Sequence, residues 1–198
     1  MRQFIVLLVF LFGLVGFFPG PVATLEAKSF AGVHSALLAL PVCHEDVGAE
    51  FEQAKADQLA RIAASVDRHA RVKDGALDRK LAAFVTAWGW HESAYSLRIG
   101  DGKCKPWECD GGRARGAYQG HRSIGMSDED WDRMHGLVNI EFQVADAVHR
   151  ARLHLGMCGG NVLQAYAALA TGRGCSAKVR DKDGKHRVAT FNLVYARL

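Results

Sequence analysis

The sequence predicts an all-α protein, mostly helical with long loops, stapled by disulfides and preceded by an export segment. Three observations carry that expectation. Apolar residues recur at helical spacing through most of the chain beyond residue 50. No apolar run suggests a parallel sheet. Five cysteines follow a leader of the kind that sends a chain into an oxidising compartment. The 198 residues, 49% hydrophobic and 23% charged, suffice to bury a core and exclude a disordered chain. Four prolines exclude a Pro-rich linker protein, and no repeat of solenoid length is visible.

The leader comes first. Arg2 precedes an apolar run from Phe4 to Phe18 that breaks at Pro19-Gly20-Pro21. The run is shorter than the roughly 20 residues a bilayer span needs. Residues 1–27 are therefore expected to be a signal peptide, cleaved after Ala23 or Ala27, with an uncleaved N-terminal anchor as the alternative. Either way the remaining chain is exported, to a periplasmic or extracellular location. Residues 28–75 then form an N-terminal helical segment and residues 76–198 the main domain.

Phe51 to Val72 is an amphipathic stretch without a breaker, closed by Asp74-Gly75. Leu77 to Glu92 is a second helix. Residues 96–123 are Gly-rich and polar and are expected to form a long surface loop. Ser127 caps a helix start, with Asp130 at the capping-box position. Asn139 to Leu155 is a helix ended by Gly156. Asn161 caps another from Val162 to Ala170, ended by Gly172 and Gly174. The charged tail around Asp183-Gly184, flanked by Val179 and by Val188 to Val194, is expected to form a short C-terminal hairpin.

The cysteines are Cys43, Cys104, Cys109, Cys158 and Cys175. Pairing near neighbours, Cys104 with Cys109 and Cys158 with Cys175, is the simplest of three connectivities and leaves Cys43 over. Zinc is disfavoured because no second Cys pair or close His pair completes a tetrahedral site; His149 and His154 do not share a helical face. No phosphate-binding glycine motif and no nucleophile elbow occurs, so no metal or organic cofactor is expected. The net charge of +4, from 25 basic and 21 acidic residues, comes without a Lys/Arg run able to track phosphates. Nucleic acid is therefore not an expected partner.

Glu92 stands out. Leu81, Phe84, Val85 and Trp88 are spaced as the buried stripe of a helix. Glu92 continues the stripe: eleven residues at about 100° each come to within about 20° of whole turns. This places a carboxyl group on the core-facing side at a helix C-terminus, beside Trp88. Apolar burial and the dipole of the helix end both favour the protonated form. A carboxylic acid of this kind can serve as the general acid in glycosidic-bond cleavage. The competing expectation is a Glu that exits to solvent where the helix frays. The adjacent His91-Glu92 pair is not a zinc-protease motif, because position 95 is Tyr.

Trp90-His91-Glu92-Ser93-Ala94-Tyr95 resembles the E-S-x-[FY] motif of SLT-type lytic transglycosylases, relatives of goose-type lysozyme. The family's later landmarks follow in order. Gly116-Ala117-Tyr118-Gln119 stands for G-L-M-Q, Asn139-Ile140 for the Asn-Ile pair opening a helix, and Ala165-Tyr166 for the start of A-Y-N-x-G. The likeness spans about residues 78–175. It departs from the family in the long Glu92–Gln119 interval, in Ala117-Tyr118 for Leu-Met, and in Ala167 for Asn.

The resemblance implies that residues 76–198 are a lysozyme-like catalytic domain acting on peptidoglycan glycan strands. Glu92 would protonate the oxygen between N-acetylmuramic acid and N-acetylglucosamine. It would then take the 6-hydroxyl proton as a 1,6-anhydro ring closes, assisted by the substrate's N-acetyl group. Tyr166 would hydrogen-bond Glu92 or the substrate. Ser93 and Gln119 would support the site, and Tyr118 would offer a face to a sugar ring. Such enzymes often serve a larger cell-envelope assembly, and the helix at 51–72 is expected either to pack on the catalytic core or to serve as an attachment to other machinery.

A hydrolytic lysozyme would instead need a second carboxylate, for which Asp101 and Asp110 are candidates. Trp107 is expected either to line the cleft or to cover the disulfide loop. Trp88 is expected in the core, and Trp90 toward the cleft or solvent. A non-catalytic, exported wall-binding module is the expectation from another class.

Overall fold

A computed structural model describes residues 21–105, 107–122, 125–172, 174–176 and 181–198. The apolar leader run Phe4–Phe18 lies outside them. Among the described residues no helix is long and apolar enough to cross a membrane.

The fold is all-α and disulfide-stapled. Helices α1 (Pro21–Leu38) and α2 (Ala49–His69) are joined by a 3-10 turn at His44–Asp46. Helix α3 (Arg79–Ser93) follows, and then the short α4 (Leu97–Gly100) and α5 (Cys109–Gly112). A two-stranded hairpin pairs β1 (Ala114–Arg115) with β2 (Gly120–His121), antiparallel, with Ala114 opposite His121. The chain closes with α6 (Asp128–Asp132), α7 (Ile140–Met157), α8 (Val162–Thr171) and α9 (Asp181–Tyr195).

Helix α3 is the centre. Residues Leu81 to Gly89 are all buried, which marks a helix surrounded on every side. Asp78 caps it, its carboxylate accepting from the Leu81 N–H at 3.0 Å. Helices α1, α2, α7 and α9 pack around it. One apolar cluster runs from Val33 and Leu37 on α1, through Ile62 and Val66 on α2 and Phe84 on α3, to Val148 on α7 and Val194 on α9. Residues 28–75 thus share a core with the domain that follows.

The cysteines pair as near neighbours, Cys104–Cys109 and Cys158–Cys175, and Cys43 carries a free thiol. No cluster of three metal-binding side chains occurs among the described residues. The caps also stand as expected: Ser127 Oγ accepts from Asp130 N–H at 3.0 Å, and Asn161 Oδ1 from Gln164 N–H at 3.0 Å.

Three expectations need correction. The tail is a helix, not a hairpin: Asp181–Tyr195 forms α9, with Asp183-Gly184 inside it. Thr190, Phe191 and Val194 are buried and lie on one helical face, and packing that face on α3 outweighs a local turn signal. Gly156 does not end α7, which continues to Met157. The stretch 96–123 is not simply a surface loop. Ser96, Leu97, Ala117 and Tyr118 are buried within it, and it folds back as the hairpin.

Candidate active site

Glu92 sits one residue before the end of α3, where the backbone turns sharply. Ala94 (φ 48°) and Tyr95 (φ 52°) are both left-handed, a conformation that costs a non-glycine residue energy and is held here by its surroundings. The Ser93 hydroxyl does much of the holding. It donates to the Ala117 carbonyl at 2.6 Å and accepts from the Tyr95 N–H at 3.1 Å. Ser93 therefore ties the helix end to the hairpin turn. It is not among the residues that line the groove beside Glu92, and these bonds are to backbone groups.

The hairpin turn Gly116-Ala117-Tyr118-Gln119 is fixed from the other side by Gln143 of α7. Its amide oxygen accepts from the Ala117 N–H at 3.0 Å, and its nitrogen donates to the Gly136 carbonyl at 3.0 Å. Gly116 is needed there. Its φ is 73°, and a Cβ would meet the Met134 carbonyl oxygen and the Gln143 amide.

A groove of about 510 Å³ opens beside Glu92. Its polar wall carries Glu92, Asp110, Gln119, His121, Arg150 and Arg187, and Trp88, Tyr166 and Leu169 supply apolar surface. The volume falls in the range of small-ligand sites. Gln119 lines the same groove as Glu92, its own amide donating to the Gly116 carbonyl at 2.9 Å. Asp110 also lines the groove, and its carboxylate lies 2.9 Å from His121 Nε2. Asp101 does not: it pairs with Lys103 at 2.7 Å, and that contact holds its carboxyl below the usual range.

The surroundings of Glu92 are more polar than its spacing implied. The side chain retains 26% of its exposure, and Oε1 accepts from an Arg187 nitrogen at 3.0 Å. Sequence reasoning missed Arg187 because it read that segment as a hairpin. On a helix, Arg187, Phe191 and Val194 are spaced i, i+4, i+7. Arg187 therefore continues the α9 stripe as Glu92 continues that of α3. Two charged residues on two apolar stripes meet where the helices pack.

Two tyrosines are corrected. Tyr166 does not hydrogen-bond Glu92. Its hydroxyl donates to the Phe84 carbonyl at 3.0 Å, and its ring stacks on Phe84 at 4.0 Å, although it still lines the groove. Tyr118 offers no face to a ligand. It is 1% exposed and packs edge-on against Trp88 and Tyr95. Burial pushes the phenols of Tyr95, Tyr118 and Tyr166 above the usual tyrosine range, so all three stay neutral. Trp88 is buried as expected and also reaches the groove. Trp90 turns elsewhere, its indole donating to the Pro41 carbonyl at 2.9 Å. Trp107 is 78% exposed and does not line the groove.

Gly89 makes the tyrosine packing possible. A Cβ there would lie 2.6 Å from the Tyr95 ring and 2.7 Å from the Tyr118 ring. Gly89→Ala is expected to destabilise by about 1–3 kcal/mol, the cost of an overpacked core. Thermal unfolding measures this, and an unchanged midpoint would show that the rings move aside freely.

His91, beside Glu92, is held neutral. Burial first, and then the charges of Arg187 and His186, lower its pKa to about 4. Its Nε2 lies 3.1 Å from the Thr190 hydroxyl. The unfolded imidazole takes a proton near pH 6.5, and the folded one does so only near pH 4. The His91 contribution is thus complete above pH 6.5 and is lost as pH falls from there toward 4. After discounting for partial exposure, it amounts to about 1–2 kcal/mol. His91→Gln should flatten the stability–pH curve across that window; parallel curves for the two proteins would refute the assignment.

No family model, no curated protein and no solved structure matches this chain. The class defined by the fold and site is therefore an all-α, disulfide-stapled protein with a carboxylate-bearing groove at the end of its central helix.

Proposed function

We propose that this exported protein cleaves the glycan strand of peptidoglycan between N-acetylmuramic acid and N-acetylglucosamine, forming a 1,6-anhydro end. The observation that carries the reading is the placement of Glu92. It lies in the last turn of a buried helix and lines an open groove of about 510 Å³ that Gln119 and Tyr166 also line. These three residues come from three of the landmarks of the lytic transglycosylase resemblance. Two disulfides agree with an oxidising, exported setting.

In this mechanism the protonated Glu92 gives its hydrogen to the bridging oxygen, and the bond from that oxygen to the anomeric carbon of N-acetylmuramic acid breaks. The substrate's acetamido group shields the carbocation-like centre. The Glu92 carboxylate then removes the 6-hydroxyl proton, and that oxygen bonds to the anomeric carbon. No water is consumed, and Glu92 ends the cycle protonated. Trp88 and Leu169 provide apolar surface for sugar rings, and Gln119 provides an amide.

Asp110, a second carboxylate on the same groove, favours a second reading: a hydrolase that activates water. Mass analysis of the products from purified peptidoglycan tests both. Anhydro ends, lighter by one water, support the transglycosylase. Reducing ends support the lysozyme-type hydrolase. Intact strands would leave a wall-binding module and defeat both.

A further inference from the structure

The contact that positions Glu92 in the free protein also occupies it. Arg187 Nη1 donates to Glu92 Oε1 at 3.0 Å, and the two side chains are 21% and 26% exposed. A carboxylate engaged by a guanidinium has no hydrogen to give, so the proposed chemistry requires this pair to open. The other arginine on the groove is differently placed. Arg150 is held by Asp146 at 2.7 Å and by the His121 carbonyl at 3.0 Å, which keeps it on its own wall. The third basic group on the groove, His121, pairs with Asp110 at 2.9 Å.

We infer that Arg187 is a specificity-determining latch: a carboxylate on the substrate strand draws its guanidinium away from Glu92 and so releases the acid. The inference rests on the proposed function and names the substrate more narrowly, as a saccharide strand bearing anionic groups. The chemistry is an exchange of partners. A guanidinium offers paired donors suited to any carboxylate, so moving from one to another conserves its hydrogen bonding. Glu92, freed from the guanidinium, is open to the bridging oxygen on which the proposed chemistry acts. A neutral saccharide offers no such exchange and leaves the latch shut. On peptidoglycan the carboxylate has two sources, the stem peptide and the lactyl group of muramic acid that has lost its peptide.

The test uses the full chain and four strand preparations. These are stem-bearing strands, strands stripped of peptide, and each of the two after carbodiimide coupling to methylamine, which neutralises the carboxylates. Wild type is expected to cleave unblocked strands about tenfold faster than blocked ones. The preparation that shows the difference identifies the source of the anion. Arg187→Gln is expected to bring that ratio close to one and to cleave blocked strands faster than wild type does. Arg187→Lys should restore part of the ratio, because it keeps the charge without the fork. A merely structural Arg187 would lower all rates together and leave the ratio unchanged, which would overturn the inference. So would a wild-type ratio near one. If wild type cleaves none of the four preparations, the proposed function itself fails, a result distinct from cleavage that ignores carboxylates.

Discussion

Glu92→Gln is expected to slow strand cleavage by about 10²- to 10⁴-fold, the range a positioned acid–base group supplies. The change keeps the shape of the side chain and removes its charge and its ability to exchange a proton. It also breaks the ion pair with Arg187. That pair retains partial exposure on both sides, so its loss should cost within about 1 kcal/mol. The thermal midpoint should therefore move little while the activity collapses. Turbidity clearing of purified peptidoglycan by the two proteins at matched concentration reads the effect. Equal clearing would remove Glu92 from the chemistry and with it the mechanism above. An unfolded variant would show instead that the Arg187 contact is structural.

The second large effect is on stability. Lys55→Met is expected to destabilise the protein by about 3–5 kcal/mol, the cost of breaking a buried ion pair from one side. Lys55 and Asp46 pair at 2.8 Å with side-chain exposures of 9% and 3%. Lys55 also donates to the Tyr95 carbonyl, and Asp46 accepts from the Leu97 N–H at 3.0 Å. The pair thus clamps α2 and the 3-10 turn onto the left-handed turn that follows Glu92. Urea unfolding of Lys55→Met, Asp46→Asn and the double variant measures it. The double variant should cost clearly less than the two singles added, because neither charge is left alone. Strict additivity would mean that the two groups act separately. Because the clamp holds the end of α3, Lys55→Met should also reduce cleavage where the protein remains folded.

Helices were legible wherever an amphipathic stripe met a capping residue. Asp128–Asp132 and Val162–Thr171 begin at Ser127 and Asn161 for the local reason that each side chain satisfies an exposed backbone N–H. The disulfides were legible because an export leader and short spacings leave one simple pairing. The C-terminal helix was not. Asp183-Gly184 carries a strong turn signal, and packing against α3, α8 and α1 makes a helix the better state there. The hairpin at 114–121 was hidden for a related reason. Its strands are two residues each, too short for alternation to show, and Gln143, distant in sequence, pins the turn between them.

The candidate site divides along the same line. Periodicity carried Glu92 to the end of the central helix, and Gln119 and Tyr166, both singled out in the sequence, line the same groove. The partners of these side chains are a different matter. Tyr166 gives its proton to the Phe84 carbonyl, Tyr118 turns into the core, and Arg187 meets Glu92. Local sequence determines which face of a helix a residue occupies, because the backbone repeat sets the angle between neighbours. What stands across from that face depends on how distant helices pack. Here tertiary packing decided that the carboxylate would pair with a guanidinium beside an open groove rather than lie against a purely apolar wall.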